Sequence, residues 1–456
     1  MLKKYFSFFV SLLLMIHVVS WAMHTASSAH AASRPSISNI SIGHRDMNVA
    51  PEDTLDSINI PEQARPDTLE SATPTSTNAL ETAQERSLRL IGERLDELAQ
   101  SSLFDRSQLG MCVYDLTEGK MIFKRGAAQR LRPASTMKAL TAICAVDILG
   151  GNYNFVTEMR SSAPLTPDTL VANLYIKGVM DPLFGKEDLK RFAECLTDSA
   201  VTYWRGDLVL DISYKDTLSA GWGWCWDDEN PSLSPLLCDE ENTLAQTFAE
   251  VLRENQIQWE GQVVIGTMPT SAICLAKQRH SLDQVLMPML KKSSNQKAEA
   301  LFYSIAAQSG EKYAGRPEAA HLINELISKK LNLDPDDYKI ADGSGLSLYN
   351  YVTPELMVAL LRHAYENENI YRHIKPALPI MGVDGTLKKR CKGDSAQGKV
   401  FAKTGTVSGV SALVGYALGA EGHVFCFAII NQGIVTSKEG REFQDKVCNA
   451  LTRKYD

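Results

Sequence analysis

Ser135 and Lys138 form the first pair of residues in the sequence whose types and spacing could do chemistry. Their three-residue spacing puts both side chains on one face of a helix, within reach of each other. A buried lysine has a lowered pKa and can take the proton of a neighbouring serine, so the pair predicts a nucleophile and its general base. Because S-x-x-K also occurs by chance in many helices, the pair needs support from elsewhere in the chain.

Two further motifs supply that support. Ser293 and Asn295 bring a hydroxyl and a carboxamide to a short segment between two predicted helices. Residues 403–406 (K-T-G-T) lie on a predicted strand, where the glycine would let a substrate backbone approach closely. S-x-x-K, S-x-N and K-T-G in this order are the signature of the penicillin-recognising serine enzymes, and finding all three argues against chance.

The sequence around these motifs resembles the D-alanyl-D-alanine carboxypeptidase/endopeptidase family, the class C low-molecular-mass penicillin-binding proteins. The likeness extends from about residue 87 to residue 454. The segments that carry it are 133–138 (P-A-S-T-M-K), 289–295 (M-L-K-K-S-S-N), 341–347 (A-D-G-S-G-L-S), 382–387 (G-V-D-G-T-L) and 402–406 (A-K-T-G-T). The sequence departs from the family at Ser294, where aspartate is usual. Activity is still expected, because the flanking Ser293 and Asn295 are more central to the chemistry.

The resemblance implies acyl transfer to Ser135, with Lys138 as general base. Ser293 would relay the proton towards the leaving D-alanine, and Asn295 would hold the peptide amide of the substrate. Water would then release the acyl-enzyme. No metal or cofactor is implied.

The third motif is expected to bind the terminal carboxylate of the substrate. The resemblance implies that Lys403 makes a charge-assisted contact with it, together with Thr404, Gly405 and Thr406. The backbone N–H groups of Ser135 and Thr406 would form the oxyanion hole. The implied partners are peptidoglycan stem peptides and, as covalent inhibitors, β-lactam antibiotics.

A tryptophan-rich stretch, residues 221–228 (G-W-G-W-C-W-D-D), could add substrate specificity. The residue before the D-alanine pair of a stem peptide carries an amine, and a carboxylate beside rigid aromatic rings would suit it. Asp227 is the predicted ligand, with Asp228 in reserve. The alternative is that the tryptophans are core residues and the aspartates cap a turn.

The elements that must position these residues indicate an α+β fold. Apolar spacing predicts a helix through Leu88 and Leu98, and a second helix that contains Lys138 and ends at Gly150. A last helix is expected at about residues 439–453. The predicted strands are 111–116, 121–124, 400–407, 411–418 and 423–431. Helices around a mainly antiparallel sheet favour an α+β enzyme domain split by an insertion. The resemblance implies the penicillin-binding/β-lactamase-like serine transpeptidase fold.

The chain is expected to divide into four parts. Residues 1–31 read as a signal peptide, because two lysines precede an apolar run that ends in small residues. A retained membrane anchor is the alternative. Residues 32–84 read as a flexible linker, rich in Ser, Thr and Pro and without periodicity. The catalytic domain is assigned to 85–151 and 269–456, and one inserted mixed domain to 152–268. The mature protein is therefore expected in the periplasm or another extracytoplasmic space, with membrane contact only if the leader is retained.

Composition excludes one large class of functions. The 456 residues include 47 Lys and Arg against 54 Asp and Glu, a net charge of −7, with no basic block. This charge argues against binding nucleic acid or anionic lipid over a broad surface. The nine cysteines are an odd number and lack a C-x-x-C pair, so most are predicted to be core residues. Cys225 and Cys238 are the pair considered first for a disulfide.

Three other functions compete with this interpretation. A Ser-His-Asp hydrolase is disfavoured because the chain has no G-x-S-x-G elbow. A β-lactamase shares the three motifs, but typical ones lack a large insertion between the first two. A catalytically idle module that binds cell-wall peptide or β-lactam is disfavoured by the intact motif residues.

Overall fold

The computed structural model describes residues 82–228 and 230–455, which contain ten α-helices and thirteen β-strands. The helices are α1 (Ala83–Ala99), α2 (Met137–Leu149), α3 (Lys186–Asp198), α4 (Leu244–Glu254), α5 (Leu282–Lys291), α6 (Asn295–Ala306), α7 (Arg316–Leu331), α8 (Pro354–Glu366), α9 (Glu368–Ala377) and α10 (Ser437–Thr452). The strands are β1 (Gln108–Asp115), β2 (Lys120–Arg125), β3 (Asn154–Ser161), β4 (Asp168–Val171), β5 (Leu174–Lys177), β6 (Val201–Arg205), β7 (Leu208–Asp211), β8 (Gln258–Glu260), β9 (Val263–Ile265), β10 (Ile273–Ser281), β11 (Val400–Val407), β12 (Val410–Leu418) and β13 (Val424–Gln432). The predicted signal peptide and nearly all of the predicted linker lie outside the described residues.

The largest sheet has five antiparallel strands in the order β11-β12-β13-β1-β2. Side chains alternate between its two faces, as in any strand. Val414 and Tyr416 on β12 pack into a core that also contains residues of α2, α6 and α8. Leu413 and Ala417 pack on the other side, against α1 and α10. Helices therefore cover both faces of the sheet, and the predicted α+β architecture is confirmed.

The part of the chain between α2 and α5 forms two further sheets, one of five strands and one of three. One is mixed, in the order β10-β3-β5-β7-β9, and the other is parallel, in the order β4-β6-β8. Their shared core includes Phe192 of α3 and Phe248 of α4, both fully buried. The prediction of a mixed insertion in the α+β fold is thus confirmed.

The mixed sheet extends past residue 268, where the insertion was predicted to end. Strand β10 pairs antiparallel with β3 over nearly its whole length, so this sheet continues to Ser281, beyond residue 268. Strand β10 was not predicted from the sequence, because its residues are exposed or half-buried and its second half is polar. The division into catalytic and inserted domains stays a prediction, since the described residues all belong to one compact unit.

Local sequence explains the ends of the helices. Thr82 and Glu85 form a capping box at the start of α1, so the helix begins at Ala83, one residue before the predicted end of the linker. Gly150 ends α2, as predicted. All nine cysteines are free thiols, including Cys225 and Cys238, the pair considered first for a disulfide, and six of the nine are buried. Among the described helices, none is long and apolar enough to cross a membrane.

Candidate active site

Ser135 lies in a 3-10 turn, Ala134–Thr136, that leads directly into α2. Ala134 has a φ of 47°, in the left-handed region where a residue with a Cβ is strained. Ala134 and Thr136 are buried, whereas Ser135 is half-buried. Gly345 packs directly against this turn, because a Cβ there would lie 1.9 Å from the Ala134 carbonyl oxygen. The turn is therefore held tightly and presents its serine to solvent.

Lys138 lies one helical turn after Ser135, and its Nζ is 3.1 Å from the Ser135 Oγ. The same Nζ donates hydrogen bonds to Asn295 Oδ1 at 2.7 Å and to the carbonyl oxygen of Ser344 at 2.8 Å. The side chain is fully buried. Burial lowers the pKa of Lys138 to about 8 because it disfavours the charged amine. The lysine can therefore act as a base close to neutral pH.

Ser293 and Asn295 lie at the junction between α5 and α6. Ser293 has a φ of 63°, a second left-handed residue in the site. Ser294 caps the start of α6, and its Oγ accepts the Lys297 N–H at 3.4 Å. Aspartate and serine are both good helix caps, so Ser294 can take the place of the aspartate usual in the family. The cap places Asn295 in the first turn of α6, where its carboxamide reaches Lys138.

Lys403 lies on β11, the edge strand of the large sheet, and its side chain is fully buried. Its Nζ donates to Ser293 Oγ at 2.9 Å and to the Thr404 carbonyl oxygen at 2.7 Å. Burial, followed by the nearby charge of Lys138, holds the pKa of Lys403 well below its usual range. The hydroxyl of Ser293 thus contacts the lysine of the third motif, which joins the second and third motifs in one site.

The remaining residues of the third motif line the same edge. Thr404 Oγ1 is 2.9 Å from Thr386 Oγ1, and Thr406 is exposed. A Cβ at Gly405 would lie 2.7 Å from the Pro133 carbonyl oxygen. The glycine was expected to admit a substrate backbone, but the structure shows that it lets β11 pass close to the chain just before the serine turn.

The tryptophan-rich stretch, residues 221–228, contacts the loop that begins at Asp342. Trp224 Nε1 donates to Asp342 Oδ2 at 2.8 Å, two residues before the carbonyl that contacts Lys138. Trp226 is 93 % exposed, so the tryptophans are not all core residues. Asp227 is exposed on the same stretch. The structure thus brings this segment near the site, and the role of Asp227 stays a prediction.

Comparison with known proteins identifies the family. The profile of the D-Ala-D-Ala carboxypeptidase 3 (S13) family matches residues 91–236 and 236–454. The chain belongs to this family. A D-alanyl-D-alanine carboxypeptidase of Actinomadura sp. (strain R39) is 28 % identical over an alignment that covers 81 % of this chain and 85 % of the relative. The carboxypeptidase DacB of Haemophilus influenzae is 24 % identical and covers 72 % and 86 %.

Solved structures confirm the penicillin-binding fold predicted for this S13 protein. Penicillin-binding protein 4 of Haemophilus influenzae matches with a TM-score of 0.71 at 23 % identity, covering 78 % of this chain and 98 % of that one. A predatory peptidoglycan endopeptidase of Bdellovibrio bacteriovorus matches with a TM-score of 0.53 at 17 % identity, covering 77 % and 95 %. Family and relatives together support a penicillin-binding D-Ala-D-Ala carboxypeptidase function for the chain.

Two contributors to the S13 site were missed in the sequence. The carbonyl oxygen of Ser344 contacts Lys138, but a backbone carbonyl leaves no mark on residue type. Glu299, a buried carboxylate on α6, accepts the backbone N–H groups of Gly343 and Ser344. The signal that could have identified Glu299 is an acidic residue four positions after Asn295, inside the run 298–303 (A-E-A-L-F-Y) that is otherwise apolar.

Proposed function

We propose that this protein hydrolyses the D-Ala-D-Ala end of peptidoglycan stem peptides, or D,D-cross-links between them, through an acyl-enzyme on Ser135. The observation that carries the proposal is the set of contacts of Lys138 Nζ, which lies between the hydroxyl of Ser135 and the carboxamide of Asn295. A fully buried amine with a pKa of about 8 beside an accessible hydroxyl is a nucleophile with its base.

In the first half of the reaction, neutral Lys138 takes the proton of Ser135 Oγ as the oxygen attacks the carbonyl carbon of the penultimate D-alanine. The oxyanion forms towards the backbone N–H groups of Ser135 and Thr406. When the intermediate collapses, the C–N bond breaks and the leaving amine receives the proton from Lys138 through the hydroxyl of Ser293. The acyl group then remains as an ester on Ser135.

In the second half, a water molecule attacks the ester carbonyl and gives a proton to Lys138. The C–O bond to Ser135 breaks, and the serine recovers its proton. The overall reaction consumes one water and releases either D-alanine or the amine of a neighbouring stem peptide. A β-lactam would acylate the same serine, and its retained leaving group would block the water.

In this proposal, the terminal carboxylate of the substrate is bound by Lys403, Thr404 and Thr406. Lys403 is buried and lies beside Lys138, so its ammonium form is disfavoured in the free enzyme. An incoming carboxylate would favour that charged form and gain a charge-assisted hydrogen bond. Asn295 would hold the peptide amide at the same time.

The experiment that tests the function uses two purified substrates. One is a linear stem peptide ending in D-Ala-D-Ala, and the other is a dimer of stem peptides joined by a D,D-cross-link. Release of D-alanine from the first shows carboxypeptidase activity, and conversion of the second to monomers shows endopeptidase activity. Cleavage of neither substrate, with rapid turnover of penicillin, would indicate a β-lactamase. Stable binding without any turnover of peptide would indicate an idle module.

The place of action follows from the predicted leader and the substrate. Peptidoglycan lies outside the cytoplasmic membrane, so an enzyme of this function needs export. We propose that residues 1–31 direct the chain across the inner membrane and that the enzyme works in the periplasm or an equivalent space. Fractionation of cells that produce the full chain tests this, because recovery with the cytoplasm would contradict it.

The first testable prediction concerns pH. Because Lys138 must be neutral to act as base, the second-order rate of acylation by a fluorescent penicillin should rise with pH through an apparent pKa near 8. The measurement is the rate of labelling between pH 5.5 and 10, with thermal unfolding recorded at each pH as a control for stability. A rate that is flat or falls across pH 7 to 9 in stable protein would contradict the assignment of the base.

The second prediction concerns Asp227. The exposed carboxylate should pair with the free amine of the third residue of the stem peptide, so Asp227→Asn should raise KM for that substrate and leave an N-acetylated analogue nearly unchanged. Asp228→Asn tests the reserve ligand in the same stretch and should leave both substrates unaffected if Asp227 is the group that binds the amine. Equal effects on both substrates, or no effect on either, would place the specificity site elsewhere.

A further inference from the structure

Glu299 is a buried carboxylate that no motif accounts for. It lies on α6, one turn after Asn295, and is 1 % exposed. Its Oε1 accepts the backbone N–H of Ser344 at 2.8 Å, and its Oε2 accepts that of Gly343 at 3.3 Å. A carboxylate this deeply buried is costly unless it is fully hydrogen-bonded, so these two donors matter for its placement.

The backbone that Glu299 holds is the backbone that contacts the base. The carbonyl oxygen of Ser344 accepts the hydrogen bond of Lys138 Nζ at 2.8 Å. The N–H on the other side of that peptide bond belongs to Gly345 and donates to Asp342 Oδ1 at 2.7 Å. Three successive peptide groups are thus held by buried carboxylates, the first two by Glu299 and the third, which carries the Ser344 carbonyl, by Asp342. Glu299 therefore fixes the backbone that leads directly into the peptide group of the Ser344 carbonyl. Because a peptide group is planar, holding its N–H also fixes the direction of its carbonyl.

Close packing on both sides restricts the backbone of residues 343–345. A Cβ at Gly343 would lie 2.6 Å from the Ala298 carbonyl oxygen, so the backbone is pressed against α6. On the opposite side, Gly345 touches the turn that carries the nucleophile. The segment is therefore packed between α6 and the serine turn, and Glu299 holds it from the side of α6.

The charge of Glu299 also acts on Lys138. The charged groups that act on Lys138 are Asp342 and Glu299, which favour its protonated form, and Lys403, whose own charged form is disfavoured by the charge of Lys138. Burial, followed by the charge of Asp342, raises the pKa of Glu299 to about 8.

We propose that Glu299 is a positioning residue that holds the Gly343–Ser344 backbone so that the Ser344 carbonyl keeps Lys138 aligned with Ser135. Glu299 touches neither the substrate nor the reacting atoms in this assignment. The inference rests on the proposed function, because it concerns the residue assigned there as the base.

The test is the variant Glu299→Gln. Glutamine keeps the size of the side chain, but it loses the charge and sets an N–H₂ group against one of the two backbone N–H donors. Acylation by a fluorescent penicillin should slow roughly tenfold, about the effect of one hydrogen bond to a charged group. The midpoint of the pH–rate profile should also move to lower pH, because a negative charge that favours protonated Lys138 is gone.

Glu299→Asp separates position from charge and serves if the glutamine variant does not fold. It keeps the carboxylate but is one methylene shorter, so it should slow acylation while leaving the pH midpoint close to that of the wild type. Asp211→Asn is the matched control. Asp211 is another buried carboxylate that accepts two backbone N–H groups, those of Ser213 and Met268, at 2.9 and 2.8 Å. It should lower the melting temperature and leave acylation unchanged.

Each outcome decides between the two roles of Glu299. Wild-type rates and midpoints in folded Glu299→Gln and Glu299→Asp proteins, with only their melting temperatures lowered, would overturn the proposal and make Glu299 purely structural. Wild-type acylation in a folded Glu299→Asp protein alone would also overturn it. Failure of the wild-type enzyme itself to be acylated would instead refute the proposed function, so the two failures are distinguishable.

Discussion

Ser135→Ala should abolish both the covalent labelling by penicillin and the cleavage of D-Ala-D-Ala peptides. The hydroxyl of Ser135 is the atom that Lys138 Nζ approaches at 3.1 Å, and alanine has no atom there to carry the acyl group. We expect kcat to fall by roughly 10⁶-fold, the scale seen when a nucleophilic serine is removed from a hydrolase. Labelling with a fluorescent penicillin and release of D-alanine measure the two losses.

Folding must be separated from chemistry in this variant. Ser135 is half-buried and the loss of one hydroxyl leaves the packing of the turn in place, so the melting temperature should stay within a few degrees of the wild type. Ser408→Ala is the matched control, because Ser408 is an exposed serine in the turn between β11 and β12, close to the third motif in sequence. Covalent labelling of a folded Ser135→Ala protein would show that the nucleophile is another residue.

Lys403→Ala should cause the second-largest effect, a loss of about 2–5 kcal/mol in kcat/KM, or roughly 30- to 5,000-fold. The loss is large because the Nζ of Lys403 is fully buried, where a carboxylate left without its partner pays a high desolvation cost. The variant also removes the donor to the Ser293 hydroxyl. The measurement compares peptides that end in free and in amidated D-alanine.

The comparison of these two peptides isolates carboxylate recognition. The wild-type enzyme should strongly prefer the free carboxylate, and Lys403→Ala should lose most of that preference. Lys399→Ala is the matched control, since Lys399 precedes β11 and its Nζ donates to the carbonyl oxygen of Thr452 at 3.4 Å. If Lys403→Ala discriminates between the peptides as well as the wild type does, another group binds the carboxylate.

Much of the site could be predicted because its residues lie in short segments of regular structure. Helical spacing alone brings Lys138 to Ser135, and the strand at Lys403 was expected at its observed bounds. Strands β12 and β13 of the large sheet are almost continuously apolar, so their positions were visible in the sequence. The motif order then indicated that Asn295 would join them, and its carboxamide indeed contacts Lys138.

The parts that could not be predicted depend on contacts between distant segments. The carbonyl of Ser344 reaches Lys138 across 206 positions, and its direction depends on backbone geometry rather than on its side chain. The left-handed φ of Ala134 and of Ser293 has no marker in residue types that rarely adopt it. Strand β10 was missed because its second half is polar and contains no buried residue, which removes the apolar signal of a strand.

The central claim is that the acyl group is carried by Ser135, and locating the adduct tests it most directly. The full-length enzyme is incubated with penicillin, digested, and its peptides are sequenced by mass spectrometry. The proposed mechanism predicts one adduct, on the peptide that contains Ser135 and at that serine. An adduct on any other residue, or an unmodified Ser135 in protein that has hydrolysed penicillin, would contradict it.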